Sequence, residues 1–244
     1  MVQLKYFGDS RDFFKYDLIT SALEQSSLRN YVFIPMLTDH RVDNEGRKVP
    51  RNEGDKSQEL LDFVNKCGNK SLTHWKTWLS PHVECYKTEE PVDGIYSSDK
   101  TRDQYWKPYY HMMLQEKALV FVDPDTGLET GTPSYLKRKG REKYILDSEL
   151  ECLIQCQQPT SVLMIYQHLP NDKNKHAEAV SRKLRQVRAV DKTVYACAYR
   201  EDDLAFLFIA KSKSSYEDIF DVLKKYYKRS LHKYKSLHES LPED

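Results

Sequence analysis

The chain has 244 residues, 31% of them charged and 12% aromatic, with a formal net charge of +1. A chain of this length buries about 70% of its unfolded surface and needs no disulfide or metal to hold a core. Near-neutrality excludes bulk attraction to nucleic acid and leaves that task to local clusters, while no window approaches the roughly 18 consecutive apolar residues of a membrane span.

The opening Met1-Val2-Gln3-Leu4-Lys5 lacks the apolar stretch of a secretory signal. The cysteines Cys67, Cys85, Cys152, Cys156 and Cys197 are odd in number and form no C-x-x-C pair. Together these point to a reducing, cytoplasmic setting with neither a disulfide framework nor a zinc knuckle.

In chain order, a helix is expected over residues 10–25, capped by Ser10. A strand over 31–37 empties into a polar loop, 38–56. Next come a helix over 57–67 that Gly68 can end, a helical turn over 72–79 with Trp75 and Trp78, and a strand over 83–87. A linker, 88–98, leads to an aromatic helix over 102–115, interrupted near Pro108. The run Ala118-Leu119-Val120-Phe121-Val122 is continuously apolar, as in a strand covered on both faces. A helix over 147–156 precedes a second such strand, 161–166. A helix over 173–188 carries a basic face, and strands over 193–198 and 204–210 form an antiparallel hairpin. A long terminal helix, 215–241, places Ile219, Phe220, Leu223, Tyr226, Tyr227, Leu231 and Tyr234 on its apolar side.

Alternating strands and helices predict one α/β domain over 1–244, with a doubly wound, mainly parallel sheet ending in an antiparallel hairpin. Many methyltransferase-like (Rossmann-like) sheets close in that way. In such sheets ligands bind at the carboxyl ends of strands, which draws attention to Thr38-Asp39-His40-Arg41, to Asp123-Pro124-Asp125-Thr126-Gly127-Leu128-Glu129, and to Gln167-His168. Pro124 stiffens the second of these, so Asp123, Asp125 and Glu129 present carboxylates at a strand end. Such groups bind a divalent cation, accept from a substrate amine, or act as a general base; the same residues also make a plain turn. His168 can shuttle a proton or ligate metal, and Gln167 is a residue type that pairs with base edges.

Basic residues cluster at Lys137, Arg138, Lys139, Arg141 and Lys143, beside the acidic turn, where a loop of positive charge would meet phosphates. Further clusters are Lys173, Lys175, Arg182, Lys183, Arg185 and Arg188 on one helix, and Lys224, Lys225, Lys228, Arg229, Lys233 and Lys235 on the last. Both also read as solvated helix faces.

The run Gly8-Asp9-Ser10-Arg11-Asp12-Phe13-Phe14-Lys15-Tyr16 resembles the Gly-Asn-x-x-Asp-x-x-Lys-His opening of the bacterial 23S ribosomal RNA adenine-N6 methyltransferase family. Phe121-Val122-Asp123-Pro124-Asp125 is similar to its Asp-Pro-Pro-Tyr strand end, and Ile165-Tyr166 falls where the family has Trp-Tyr-Pro. The whole pattern looks closer still to a group of uncharacterised bacterial and phage proteins. The resemblance implies that Asp12 and Lys15, with Asp39 and His40 after the first strand, shape a pocket for S-adenosylmethionine. It also implies that Asp123 accepts from an exocyclic amine, with Lys15, Asp125 and His168 completing the catalytic set. Asp125 stands in place of a second proline, and an added carboxylate suits a cation better than a base ring. Three readings therefore stay open: an amino-group methyltransferase acting on nucleic acid; a nuclease or phosphodiesterase holding Mg²⁺ or Mn²⁺ on Asp123, Asp125 and Glu129; and a non-catalytic binding or defence-interaction protein on the same fold.

Overall fold

The computed structural model describes residues 8–36, 56–67, 71–89, 102–131 and 140–242. Its centre is the strand β3 (Ala118–Asp123), every residue of which is buried. The alternation of a strand sends Leu119 and Phe121 into one hydrophobic layer and Val120 and Val122 into the other, which is why the run is apolar without interruption. β1 (Asn30–Pro35) and β6 (Val162–His168) flank β3 in parallel, and β2 (Cys85–Lys87) pairs in parallel with β1.

Beyond β6 the sheet turns antiparallel. β8 (Leu204–Ala210) pairs with β6 and with β7 (Tyr195–Glu201), and β9 (Lys235–Ser240) lines β7. The order is β2-β1-β3-β6-β8-β7-β9. The result is a mixed α/β fold with a mostly parallel central sheet and added antiparallel strands. The hairpin expected at the sheet's end does form, but its second strand inserts between β6 and β7. A two-stranded ribbon, β4 (Gly127–Leu128) and β5 (Tyr144–Ile145), lies outside this sheet.

Helices cover both faces. α1 (Ser10–Gln25), α2 (Gln58–Lys66), α3 (Thr73–Leu79) and α7 (Lys213–Arg229) pack on the layer of Leu119 and Phe121. α4 (Arg102–Met112), α5 (Asp147–Cys156) and α6 (His176–Val190) pack on the layer of Val120 and Val122. Pro108 lies inside α4 without ending it. No described helix is long and apolar enough to cross a membrane.

Two expectations need correction. α1 is capped by Asp9 rather than Ser10, because the Asp9 carboxylate accepts the amide protons of Arg11 and Asp12. The terminal helix stops at Arg229 instead of running to 241. Its apolar stripe is exhausted there: Leu231 is 69% exposed and Tyr234 42%. Ser230 turns away in extended geometry and donates its hydroxyl to buried Glu201 at 3.0 Å, and the chain then adds β9 to the sheet. Glu201 also pairs with Lys56 at 2.6 Å, both side chains being buried.

Candidate functional site

Lys15 is the hinge of the site. It projects from α1 to the carboxyl end of β3, where its ammonium lies 2.7 Å from Asp123 Oδ2 and 3.0 Å from Asp12 Oδ1. The Tyr166 ring, at the end of β6, lies 5.0 Å from the same nitrogen. Burial alone would lower the Lys15 ammonium, but Asp123 and then Asp12 outweigh it and raise it above its ordinary value. Burial raises the Asp123 carboxyl, and Lys15 opposes that. The ammonium between two carboxylates is therefore a standing ion triad. Asp123 is only 2% exposed, so the strand end does not present its carboxylate to solvent. Its second oxygen, Oδ1, is buried and lacks a hydrogen-bond partner among the described residues.

The acidic turn is held by backbone and amide contacts. The Thr126 amide donates to Lys143 O at 2.9 Å, and the His168 amide donates to Thr126 O at 2.8 Å. Gly127 has φ +127°, and a Cβ there would run into the Gln167 amide, so glycine is required. Gln167 accepts from the Leu128 amide at 3.0 Å and donates to Thr126 O and His168 O at 3.1 and 2.8 Å. Its side chain is thus committed to shaping the turn and is not available to read a base edge. Asp125 pairs with Lys143 at 2.9 Å, and Glu129 Oε1 accepts from the Asp147 amide at 2.7 Å. Asp123, Asp125 and Glu129 therefore have three separate partners, and no group of three His, Cys, Asp or Glu side chains suited to a metal ion occurs among the described residues.

These elements border a cleft of 1430 Å³ that passes over the sheet's carboxyl edge, from the start of α1 to the length of α6. Asp9, Asp12 and Lys15 line one end, Tyr166 and His168 the middle, and Arg182 and Arg185 the other end. Asp123 is set behind Lys15 and does not line it. Burial, then the neighbouring Arg11, lowers the His168 imidazole. Its Nδ1 is buried with no partner among the described residues. Arg11 is held by Asp203 at 2.6 Å.

Of the residues singled out from sequence, Asp12, Lys15, Asp123, Asp125, Glu129, Lys143 and His168 gather here. Asp39, His40, Lys137, Arg138 and Lys139 lie outside the described residues. Arg141 enters the described contacts through its carbonyl, which accepts from Arg102 at 3.1 Å. Arg11, Tyr166, Lys183, Arg182 and Arg185 belong to the cleft without having been singled out for it. The basic face of α6 was visible in sequence, but helical periodicity does not say which neighbour that face meets.

No family model and no curated protein matches the chain. Among solved structures it is similar to a Legionella pneumophila str. Philadelphia 1 protein of the family model DUF519, with a TM-score of 0.43 and 11% identity over 97% of this chain and 98% of that one.

Proposed function

We propose that this chain is a nucleic-acid-acting enzyme of methyltransferase-like fold, methylating an amino group with S-adenosylmethionine as donor. The observation that carries the reading is the state of Asp123. One oxygen is fixed by Lys15, and the other is a buried acceptor lacking a described partner. Leaving such an acceptor unmade costs about 1–3 kcal/mol, and an amine N–H is the complement that would recover it. The sheet order supports the reading too, since β8 is a reversed strand inserted beside β6, towards the end of the sheet where methyltransferase-like sheets carry one.

The start of α1 fits the donor's charge. Burial and then the Asp12 charge raise the Asp9 carboxyl, so a ligand cation beside this acidic pair is favourable. Asp12 and Lys15, with Asp9, would hold it; when bound, the donor supplies an electrophilic methyl group. Asp123 lies behind Lys15, so it would orient the lone pair of the target amine once Lys15 moves aside, which is chiefly a positioning role. His168 Nδ1, unpaired among the described residues and neutral at physiological pH, is suited to accept the proton that the amine gives up.

The test is thermal unfolding with S-adenosylhomocysteine. At a hundredfold excess over Kd, ligand linkage adds about 2.7 kcal/mol, a rise of roughly 5 °C or more for a chain this long. Transfer of labelled methyl groups to RNA or DNA should accompany it and fall in Asp123→Asn. Neither stabilisation nor transfer would be observed if the reading is wrong.

A further inference from the structure

The far end of the cleft is built differently from the end at α1. α6 presents Ala179, Arg182, Arg185, Gln186 and Ala189 to it, positions that recur on one side of the helix. The ten steps from Ala179 to Ala189 cover about 15 Å at 1.5 Å per residue, so this part is an elongated groove. Its facing wall is the segment around Leu128, Glu129 and Thr130. Lys183 fastens that wall to the helix, donating to Leu128 O at 2.8 Å, Glu129 O at 2.6 Å and Gln186 Oε1 at 3.0 Å. Gln186 reaches across as well, to Glu129 O at 3.1 Å and Asp147 Oδ1 at 2.6 Å.

Two arginines stand exposed along this groove. Arg182 is exposed and makes no ion pair or hydrogen bond among the described residues. Arg185 pairs with Glu178, but those side chains are 64% and 71% exposed, and a pair so exposed contributes little. The two carboxylates opposite accept from neutral amides, Asp147 from the Gln186 side chain and Glu129 from the Asp147 backbone. Alanines at either end of the row leave room for a ligand to approach the guanidinium groups. Burial and then Arg182 push the Lys183 ammonium down to about 8, with Asp147 and Glu129 opposing them.

We infer that this groove seats a single strand of nucleic acid, with successive phosphates on Arg182 and Arg185 and the strand leading toward Tyr166 and His168. The inference rests on the nucleic-acid reading above but not on methyl transfer. Guanidinium groups one turn apart suit phosphate oxygens. A base whose amine is to reach the sheet edge has to leave any duplex stack, which favours a single strand.

The test is fluorescence anisotropy with labelled single strands of about 12 nucleotides, a length within the usual range of such sites. The proteins are the parent chain, Arg182→Ala/Arg185→Ala, and the control Lys225→Ala/Lys228→Ala, which removes equal charge from α7 on the opposite face. The arginine variant should bind roughly tenfold more weakly at 0.1 M salt, with the salt slope reduced by about 1.4. The control should bind as the parent does. Equal loss in both variants, no loss in either, no binding by the parent, or tighter binding of duplex would each overturn the inference. S-adenosylhomocysteine stabilisation is measured alongside. Arginine-dependent strand binding without that stabilisation sinks methyl transfer alone, and stabilisation with arginine-independent binding sinks the groove alone.

Discussion

Lys15 and Asp123 are 4% and 3% exposed at their side chains and 2.7 Å apart, so each depends on the other. Removing one member of a buried pair typically costs 3–5 kcal/mol, because the survivor stays charged without its partner. Asp123→Ala should sit near about 3 kcal/mol, since Asp12 remains beside Lys15. Urea unfolding of Asp123→Ala will show this, and a change within about 0.5 kcal/mol, the range of ordinary surface substitutions, would show the pair to be dispensable. His168 makes a different prediction. Its lowered imidazole means that the unfolded chain takes up a proton before the folded chain does. Its stability contribution is therefore whole above the ordinary value of 6.5 and is lost as pH falls below it. Ring-resonance NMR should find its midpoint below 6.5, and a midpoint above that would place a carboxylate in control of the ring. The residues of this triad were legible as two separate signals, a strand end and a helix-opening motif. Their burial was not, because residues 108 apart in sequence exclude water from each other only once the sheet is assembled.

At the scale of elements, the β4–β5 ribbon sets where Asp125 and Lys143 stand. It is braced by Arg102 at the start of α4, which bonds Glu149 through Nε and, at 2.6 Å, through Nη2, while Nη2 also meets Tyr144 O at 2.6 Å. Trp106 adds a bond to Glu149 at 2.7 Å. Arg102→Lys loses the fork of donors and should destabilise nearly as much as Arg102→Ala, which circular dichroism melting of both variants will compare. Full rescue by lysine would mean that charge alone suffices. Gly127→Ala is expected to cost about 1–3 kcal/mol for backbone strain alone, besides displacing Gln167. Helix α5 was legible because a compact apolar stripe with acids in its first turn marks it. The end of α7 was not: Ser230 leaves the helix to reach Glu201, a partner 29 residues earlier, and nothing local announces it.

For the whole molecule, alternation of apolar runs with amphipathic segments sufficed to foresee an α/β fold with a mostly parallel central sheet, since strands covered on both faces leave few other architectures. The insertion of β8 beside β6 required knowledge of which edge the hairpin joins, and that is settled by seven backbone pairings, from Val162↔Ala210 to His168↔Leu204. The far end of the cleft holds one deep lysine that responds to pH. Lys183 is held at about 8 against an ordinary 10.5, so across that window the unfolded chain carries the proton that the folded chain has released. Stability should therefore rise as pH climbs from the lower bound to the upper, before tyrosine ionisation intervenes. Denaturant midpoints for the parent and for Lys183→Met at the two bounds will decide it; a rise of the same size in both would assign the effect elsewhere.

β9 shields the outer flank of β7 through six residue pairs, from Ala196↔Ser240 to Glu201↔Lys235. A stop codon placed after His232 would strip that cover and leave a row of bare amide and carbonyl groups, a template onto which a neighbouring molecule can add its own strand. Such a shortened protein should elute in large assemblies on gel filtration even with its crevice intact, so attempts to trim the chain for crystals are better made elsewhere.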